Sequence, residues 1–504
     1  MSNLYDILVV GAGINGAGIA RDAAGRGLSV AICDQDDLAA HTSSSSTKLI
    51  HGGLRYLEHF ELRLVRKALQ EREVLIALAP HIIWPLRFVI PHAPHLRPAW
   101  LIRLGLLLYD NLARRHHLPG SRAVDLRKHA AGRPLTSDYT KGFIYSDARV
   151  DDARLVALNL IDAAQHGARV LTRTRCETLA HDGANWCTTL RSAAGSTLNL
   201  RARAVVNAAG PWVADILASA TSLRASNHVR LVKGSHIVVR RLFDHAYAYI
   251  FQAPDQRVIF AIPYEREFTL IGTTDVEYRG DPAQVRISDE EIQYLCGMAN
   301  GYFRQQLSPA DVVWSYAGVR PLLDDQSSDA SSVTRDYHLE LEDRSTPFLS
   351  VFGGKLTTYR RLAEEALALL APLLANESGP WTRTRPLPGG DMPGADFAKF
   401  LRSLRNRYPW LPTELRRRYA RAYGTRIALL LARAKTFGDL GEEVLAGLHA
   451  IEIDYLRTEE WARTAFDILW RRSKLGLHLP PGSEATLDTW LQLHPLTAPD
   501  DLVD

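Results

Sequence analysis

An apolar run from Tyr5 to Val10 passes straight into Gly11-Ala-Gly13-Ile-Asn-Gly16 and then into a helical pattern. A strand feeding a GxGxxG turn and a helix opens a dinucleotide-binding βαβ unit. Gly11 permits the tight turn, Gly13 lets backbone approach a pyrophosphate, and Gly16 lets the helix pack close to the strand, so the phosphates meet the helix N-terminus. Leu28 to Cys33 reads as the second strand and ends at Asp34, where an acidic side chain takes both hydroxyls of an adenosine ribose. A GxGxxG string alone also fits a glycine-rich turn in any α/β protein; strand, turn, helix, strand and terminal acid in this order argue against that reading.

Length and charge set the outer limits. A chain of 504 residues, 46% hydrophobic, exceeds what one core supports and implies two or three domains. The net charge of +4, from 60 Lys plus Arg against 56 Asp plus Glu, gives no case for a nucleic-acid partner. Cys33, Cys176, Cys187 and Cys296 show neither CxxC nor metal-ligand spacing, so no metal site and no disulfide framework is expected, and redox work falls to a cofactor. The first apolar run is broken by Gly11, Gly13, Asn15 and Gly16, which argues against a secretory signal, and no stretch approaches about 18 uninterrupted apolar residues.

Strand and helix patterns alternate to about Leu374, after which the chain reads as helical. Leu62 to Leu78 has helical spacing, and Asp151 to Ala168 repeats it behind a capping aspartate. Arg230 to Val239, Arg257 to Ile262, Phe268 to Ile271 and Val312 to Val319 are short β-rich segments, the profile of a mostly antiparallel second sheet that could floor a substrate site. Thr382 to Asp396, rich in Pro and Gly, has linker composition. The expected organisation is an interleaved cofactor- and substrate-binding unit over residues 1–385 and a helical domain over 386–504.

Two more glycine clusters follow strands. Ala202 to Ala208 runs into Gly210-Pro211-Trp212, and Phe348 to Phe352 runs into Gly353-Gly354-Lys355-Leu-Thr-Thr358 and a helix to about Leu370. The second helix N-terminus would carry partial positive charge suited to the pyrimidine edge of an isoalloxazine ring. Taken alone it is a simple connection from strand to helix; beside the N-terminal βαβ unit it reads as the other half of a flavin site.

Thr42 to Tyr56, TSSSSTKLIHGGLRY, is the most specific string. Together with Lys233-Gly-Ser-His236, Ile271-Gly-Thr-Thr-Asp275, Ser315-Tyr-Ala-Gly-Val-Arg320-Pro321 and Phe352-Gly-Gly-Lys355-Leu-Thr-Thr358, it resembles the aerobic, bacterial-type FAD-dependent glycerol-3-phosphate dehydrogenases, from about Leu4 to the C-terminal helices. The resemblance implies an α/β fold: a Rossmann-like FAD-binding domain interleaved with an antiparallel-sheet substrate domain, as in amino-acid oxidases, plus an all-α C-terminal domain. It implies FAD contacts from Gly11, Gly13, Ile14, Asn15, Gly16, Asp34, Thr42, Ser43, Ser46, Thr47, Lys48, Leu49, His51, Gly52, Gly210, Gly354, Lys355, Leu356 and Thr357. Asp34 stands where many flavoproteins carry the longer Glu.

The reaction implied is oxidation of sn-glycerol 3-phosphate to dihydroxyacetone phosphate, with hydride passing to FAD and a base taking the C2 hydroxyl proton. Arginine suits the phosphate, because its fork of donors matches the oxygens and stays charged. Arg55, Tyr56, Arg320 and Arg335 are assigned to the substrate, with Arg320 and Arg335 the phosphate clamp. Catalysis is assigned to His236, Lys355 and Arg320; His236 leads as base, since an imidazole with a reference pKa of about 6.5 accepts a proton near neutrality, and Lys355 is the rival.

The family passes its electrons to a membrane quinone, which implies peripheral docking on the cytoplasmic face of the inner membrane, and the resemblance implies a homodimer. Leu96 to His117, with Trp100 and Tyr109 among leucines and Arg114-Arg115 at its end, fits an interfacial helix on a lipid bilayer surface, and equally a buried helix with a basic cap. An oxygen-using glycerol-phosphate oxidase and an FAD amine or amino-acid oxidase remain as alternatives.

Overall fold

A computed structural model describes residues 4–93, 97–219, 229–252, 257–323, 336–342 and 346–496. The N-terminal strand, Leu4–Val10, lies at the centre of a sheet, parallel to Val30–Cys33 on one side and Thr197–Asn207 on the other. Phe348–Phe352 and Arg169–Leu171 continue the parallel order outward. Such strands are covered on both faces, which is why Ile7 to Val10 can be apolar throughout. Helices Ile14–Gly25, Asp152–Gln165 and Tyr359–Leu370 share one core over this sheet. They cross closely because a Cβ on Gly18 would come within 2.7 Å of the Tyr359 ring. The second strand starts at Val30 rather than Leu28: Leu28 still donates its N–H to Ala23 O, finishing the helix through Gly27 at φ 84°.

The second sheet is mostly antiparallel, and the chain enters it twice. Leu49–Ile50, Ile83–His92, Arg122–Asp125 and Lys141–Val150 come from the first visit; Val229–Arg240, Tyr247–Gln252, Val258–Tyr264, Phe268–Gly272, Val276–Glu277 and Val312–Leu323 come from the second. Each predicted strand forms and runs longer than its pattern suggested. Ile83–His92 was hidden by Pro85 and Pro91, residues that argue against a strand interior.

Helices from Phe397–Arg407 to Ser483–Leu493 enclose a separate core built on Tyr419, Tyr423, Ile453 and Leu456, with a small hairpin, Glu443–Leu445 and Leu448–His449. A π-helical turn, Asp467–Arg472, fastens this unit to both sheets. Arg472 donates to Asp37 at 2.5 and 2.8 Å, Arg471 to the same carboxylate at 2.6 Å, and Trp470 stacks on Trp314 at 3.6 Å. Among the described residues no helix is long and apolar enough to cross a membrane.

Candidate active site

A cavity of about 530 Å3 opens at the carboxyl ends of the parallel strands, lined by Gly11, Gly13, Asn15, Asp34, Gly210 and Gly354 among others. Helix Ile14–Gly25 has Gly13 at its N-cap and no side-chain cap; Ser43 Oγ accepts the Ile14 N–H at 3.0 Å. Its positive end therefore meets the cavity with backbone donors, the arrangement that holds a pyrophosphate. Gly11 sits at φ 106°, and a Cβ there would lie 2.5 Å from Ala208 O; one on Gly16 would strike Gly11 O. Asp34 accepts N–H bonds from Ala12 at 2.7 Å and Asp36 at 3.0 Å, yet burial outweighs them and raises its carboxyl to about 6.

The late glycine cluster joins the early one through Asn15, whose Nδ2 donates to Gly353 O at 3.0 Å. Its Oδ1 is buried without a partner. Gly353 and Gly354 have φ of 72° and 105°, and a Cβ on Gly354 would lie 2.6 Å from Asn15 Nδ2. Those angles are incompatible with a helix, and the helix starts after Thr358, at Tyr359, where the pattern set it, behind a turn closed by Thr358 N–H on Lys355 O. The loop, rather than a helix end, borders the cavity. An uncapped helix end, a terminal acid and an orphaned acceptor fit a dinucleotide.

The antiparallel sheet presents the second half of the site. His236 lies opposite Tyr316, Gly234 opposite Gly318 and Val232 opposite Arg320, so His236, Tyr316 and Arg320 share a face. Glycines make room on it: a Cβ at 234 would lie 2.1 Å from Arg320 Nη2, and one at 318 would lie 2.7 Å from Ser45 Cβ. The serine-rich segment lies across this face. Thr42 donates to Val319 O at 2.6 Å, Tyr316 to Ser46 O at 2.8 Å, and Thr47 Oγ1 is 3.0 Å from His236 Nε2. His236 is buried, stacked on Tyr316 at 4.8 Å, with Nδ1 unpartnered. Burial, reinforced by Arg320 and Lys48, holds its pKa well below 6.5 and keeps it neutral.

The same segment reaches the glycine loop at its far end. His51 N–H donates to Thr357 Oγ1 at 3.2 Å, and the Lys355 ammonium sits 4.3 Å over the Tyr56 ring. Neither Lys355 nor Arg55 makes an ion pair among the described residues.

A family model described as FAD dependent oxidoreductase matches residues 6–360, and one for the C-terminal domain of alpha-glycerophosphate oxidase matches 380–493. A glycerol-3-phosphate dehydrogenase of Pseudomonas aeruginosa is 55% identical over 98% of this chain and 96% of its own length; the aerobic enzyme of Escherichia coli is 49% identical over 96% and 97%. The chain belongs to the FAD-dependent glycerol-3-phosphate dehydrogenases. The crystal structure of such an enzyme from Bacillus halodurans, complexed with FAD, matches 97% of this chain and 89% of its own at a TM-score of 0.77 and 28% identity. An L-alpha-glycerophosphate oxidase from Mycoplasma pneumoniae shares the fold at a TM-score of 0.60 and 15% identity, over 76% of this chain and 99% of its own.

In this FAD-dependent dehydrogenase several residues assigned to the cofactor by resemblance also make contacts within the chain. The Lys48 ammonium is buried against Asp152 and Ser44 O, both at 2.8 Å, and Ser46 Oγ binds Asp152 at 2.7 Å. Charge in a dry interior needs its partner, and Asp152 supplies it. Leu49 is buried in a strand opposite Arg149, and the Gly52 N–H goes to Tyr109 Oη at 2.9 Å. Leu356 packs against the parallel-sheet core. Arg320 is not a free clamp: Asp275 pairs with it at 2.6 Å, and Thr273 Oγ1 and Thr274 O accept from it at 3.2 Å. Arg335 lies outside the described residues. Reading the sequence overlooked Tyr316 and Asp275 as site residues; both stand inside the motif strings, Tyr316 at the alternate position to Gly318 and Arg320.

Proposed function

We propose that this chain oxidises sn-glycerol 3-phosphate to dihydroxyacetone phosphate and passes the electrons to a membrane quinone. One observation carries the reading: a single segment, residues 42–56, is bonded to the dinucleotide helix through Ser43, to His236 through Thr47 and to the glycine loop through His51. Cofactor cradle and substrate groups are thereby held as one unit. FAD, when bound, supplies the acceptor for the hydride leaving C2. The chain's own residues bind the phosphate and take the proton. In the tautomer that donates Nε2–H to the Thr47 hydroxyl, Nδ1 is the imidazole's basic atom and takes the C2 hydroxyl proton. Lys355 and Arg55, cations with no carboxylate partner among the described residues, join Arg320 and Arg335 in balancing a dianion.

Helix Ala99–Asn111 supports docking at a bilayer. Trp100 is 69% exposed, Leu104, Leu107 and Leu108 are exposed along the same side, and Phe60 nearby is 86% exposed, whereas Leu106 and Tyr109 anchor the other side. An apolar stripe left in water at i, i+4, i+7 and i+8 is an interfacial face rather than a buried one. Placement as a peripheral homodimer on the cytoplasmic face rests on the family resemblance.

A second reading of the substrate has its own support: a D-erythritol 1-phosphate dehydrogenase of Brucella abortus is 50% identical over 96% of this chain and 97% of its own length. Steady-state kcat/KM on both phosphates with a quinone analogue tests the proposal. A preference for the three-carbon substrate is expected, with little peroxide formed under air. A preference for the four-carbon phosphate overturns the substrate, and peroxide matching turnover overturns the quinone.

A further inference from the structure

A second cavity, of about 630 Å3, runs between the antiparallel sheet and the C-terminal helices and shares no residue with the dinucleotide cavity. Most charges on its walls are matched. Arg149 pairs with Glu265 at 3.1 Å, Arg266 with Glu414, Arg418 with Glu452 at 2.6 Å, Arg472 with Asp37 at 2.5 Å, and Lys474 faces Asp151 at 3.8 Å. Of the remaining acids, Glu443 accepts the Gly447 N–H and Glu267 lies 4.0 Å from His478 and 3.6 Å from Arg240. Arg417 and Arg421 are left with no hydrogen-bonded or ion-paired carboxylate among the described residues.

Arg421 is fixed rather than mobile. Its Nη1 donates to Pro80 O and His81 O at 3.4 and 3.3 Å, and its guanidinium stacks on Trp84 at 4.6 Å and Phe397 at 3.7 Å. Arg149 lies over the same Trp84 ring at 5.2 Å. Burial, with Arg417 and Arg149 nearby, lowers the Arg421 pKa to about 10. Guanidiniums stacked on rings keep their in-plane N–H edges available, and that edge matches phosphate oxygens two at a time. Arg421, anchored by its stacking and its two carbonyls, and Arg417, exposed and sharing Glu414 with Arg266, line one roomy cleft and carry charge suited to a small multivalent anion.

We propose that this groove binds a phosphate-class anion, free phosphate or a phosphomonoester, gripped by Arg417 and Arg421. The test titrates inorganic phosphate at constant ionic strength into the FAD-loaded protein and follows Tm, for the wild type, Arg417→Gln and Arg421→Lys. Arg417 is exposed, so its variant tests the site even if Arg421→Lys misfolds. The expected result is a saturable rise in Tm for the wild type, with a midpoint shifted at least about tenfold in Arg417→Gln and no change in KM for sn-glycerol 3-phosphate. Overlapping curves for wild type and Arg417→Gln would overturn the proposal, because phosphate would then be binding at the catalytic cations or nonspecifically. A flat wild-type curve would overturn it too. If phosphatidylglycerol vesicles then capture the wild type but not Arg417→Gln, the charge serves lipid.

Discussion

In the proposed mechanism His236 and Lys355 divide the work on chemical grounds. His236 is neutral, buried and oriented by Thr47, whereas Lys355 carries its charge over Tyr56 with no carboxylate among the described residues to cancel it. His236→Ala should lower kcat by roughly 10²–10⁴-fold, the usual contribution of a general base, while flavin content stays near normal. A variant with wild-type kcat removes His236 from the mechanism. Lys355→Met should raise KM for the substrate instead, read from initial rates at saturating quinone analogue. His81 makes a different prediction. It is fully buried, neither ring nitrogen has a partner, and burial, aided by Arg154 and Arg421, lowers its pKa to about 3. The unfolded chain, with a pKa of about 6.5, takes the proton first, so this stabilisation is complete above about pH 6.5 and falls by up to roughly 1.4 kcal/mol per pH unit as the pH drops toward 3. Denaturant midpoints from about pH 6.5 to 5 should fall less steeply for His81→Leu than for the wild type; parallel slopes would show that His81 charges as easily in the native protein.

At the scale of elements, what could be read from sequence is what neighbouring residues encode. Gly11, Gly353 and Gly354 declare their turns because φ of 106°, 72° and 105° excludes most side chains, and Asp151 declares its helix by accepting the Arg154 N–H. Pairings across the chain leave no such mark. Nothing around Lys48 announces that Asp152 will take its ammonium, or around Arg320 that Asp275 will take its guanidinium. The exposed face of Ala99–Asn111 belongs to the same class: its amphipathic spacing was visible, but which side met water was decided by the packing of Leu106 and Tyr109. Replacing Leu104 and Leu107 with Glu should abolish flotation with anionic vesicles and leave flavin absorbance unchanged; intact flotation would discard this helix as the anchor.

The whole molecule is held by charges that sequence distance conceals. Asp37, three residues beyond Asp34, is buried against Arg471 and Arg472, more than 430 positions away. Beside them, burial pushes the Asp467 carboxyl up, but Arg471, Arg173 and Arg472 prevail and hold it at about 2. Asp37→Ala would leave the buried Arg472 guanidinium without its carboxylate, while Arg471 keeps Asp467, a loss of about 3–5 kcal/mol for a broken buried pair. A lower Tm together with weaker FAD retention is expected; weakened retention at an unchanged Tm would mean the clamp does not bear on the fold. The central claim, that one segment holds an FAD cradle against a phosphoalcohol site, is tested most directly by adding sn-glycerol 3-phosphate to the FAD-loaded protein without oxygen. Complete bleaching of the flavin absorbance with saturable dependence on substrate is predicted; a flavin that stays oxidised would contradict the account.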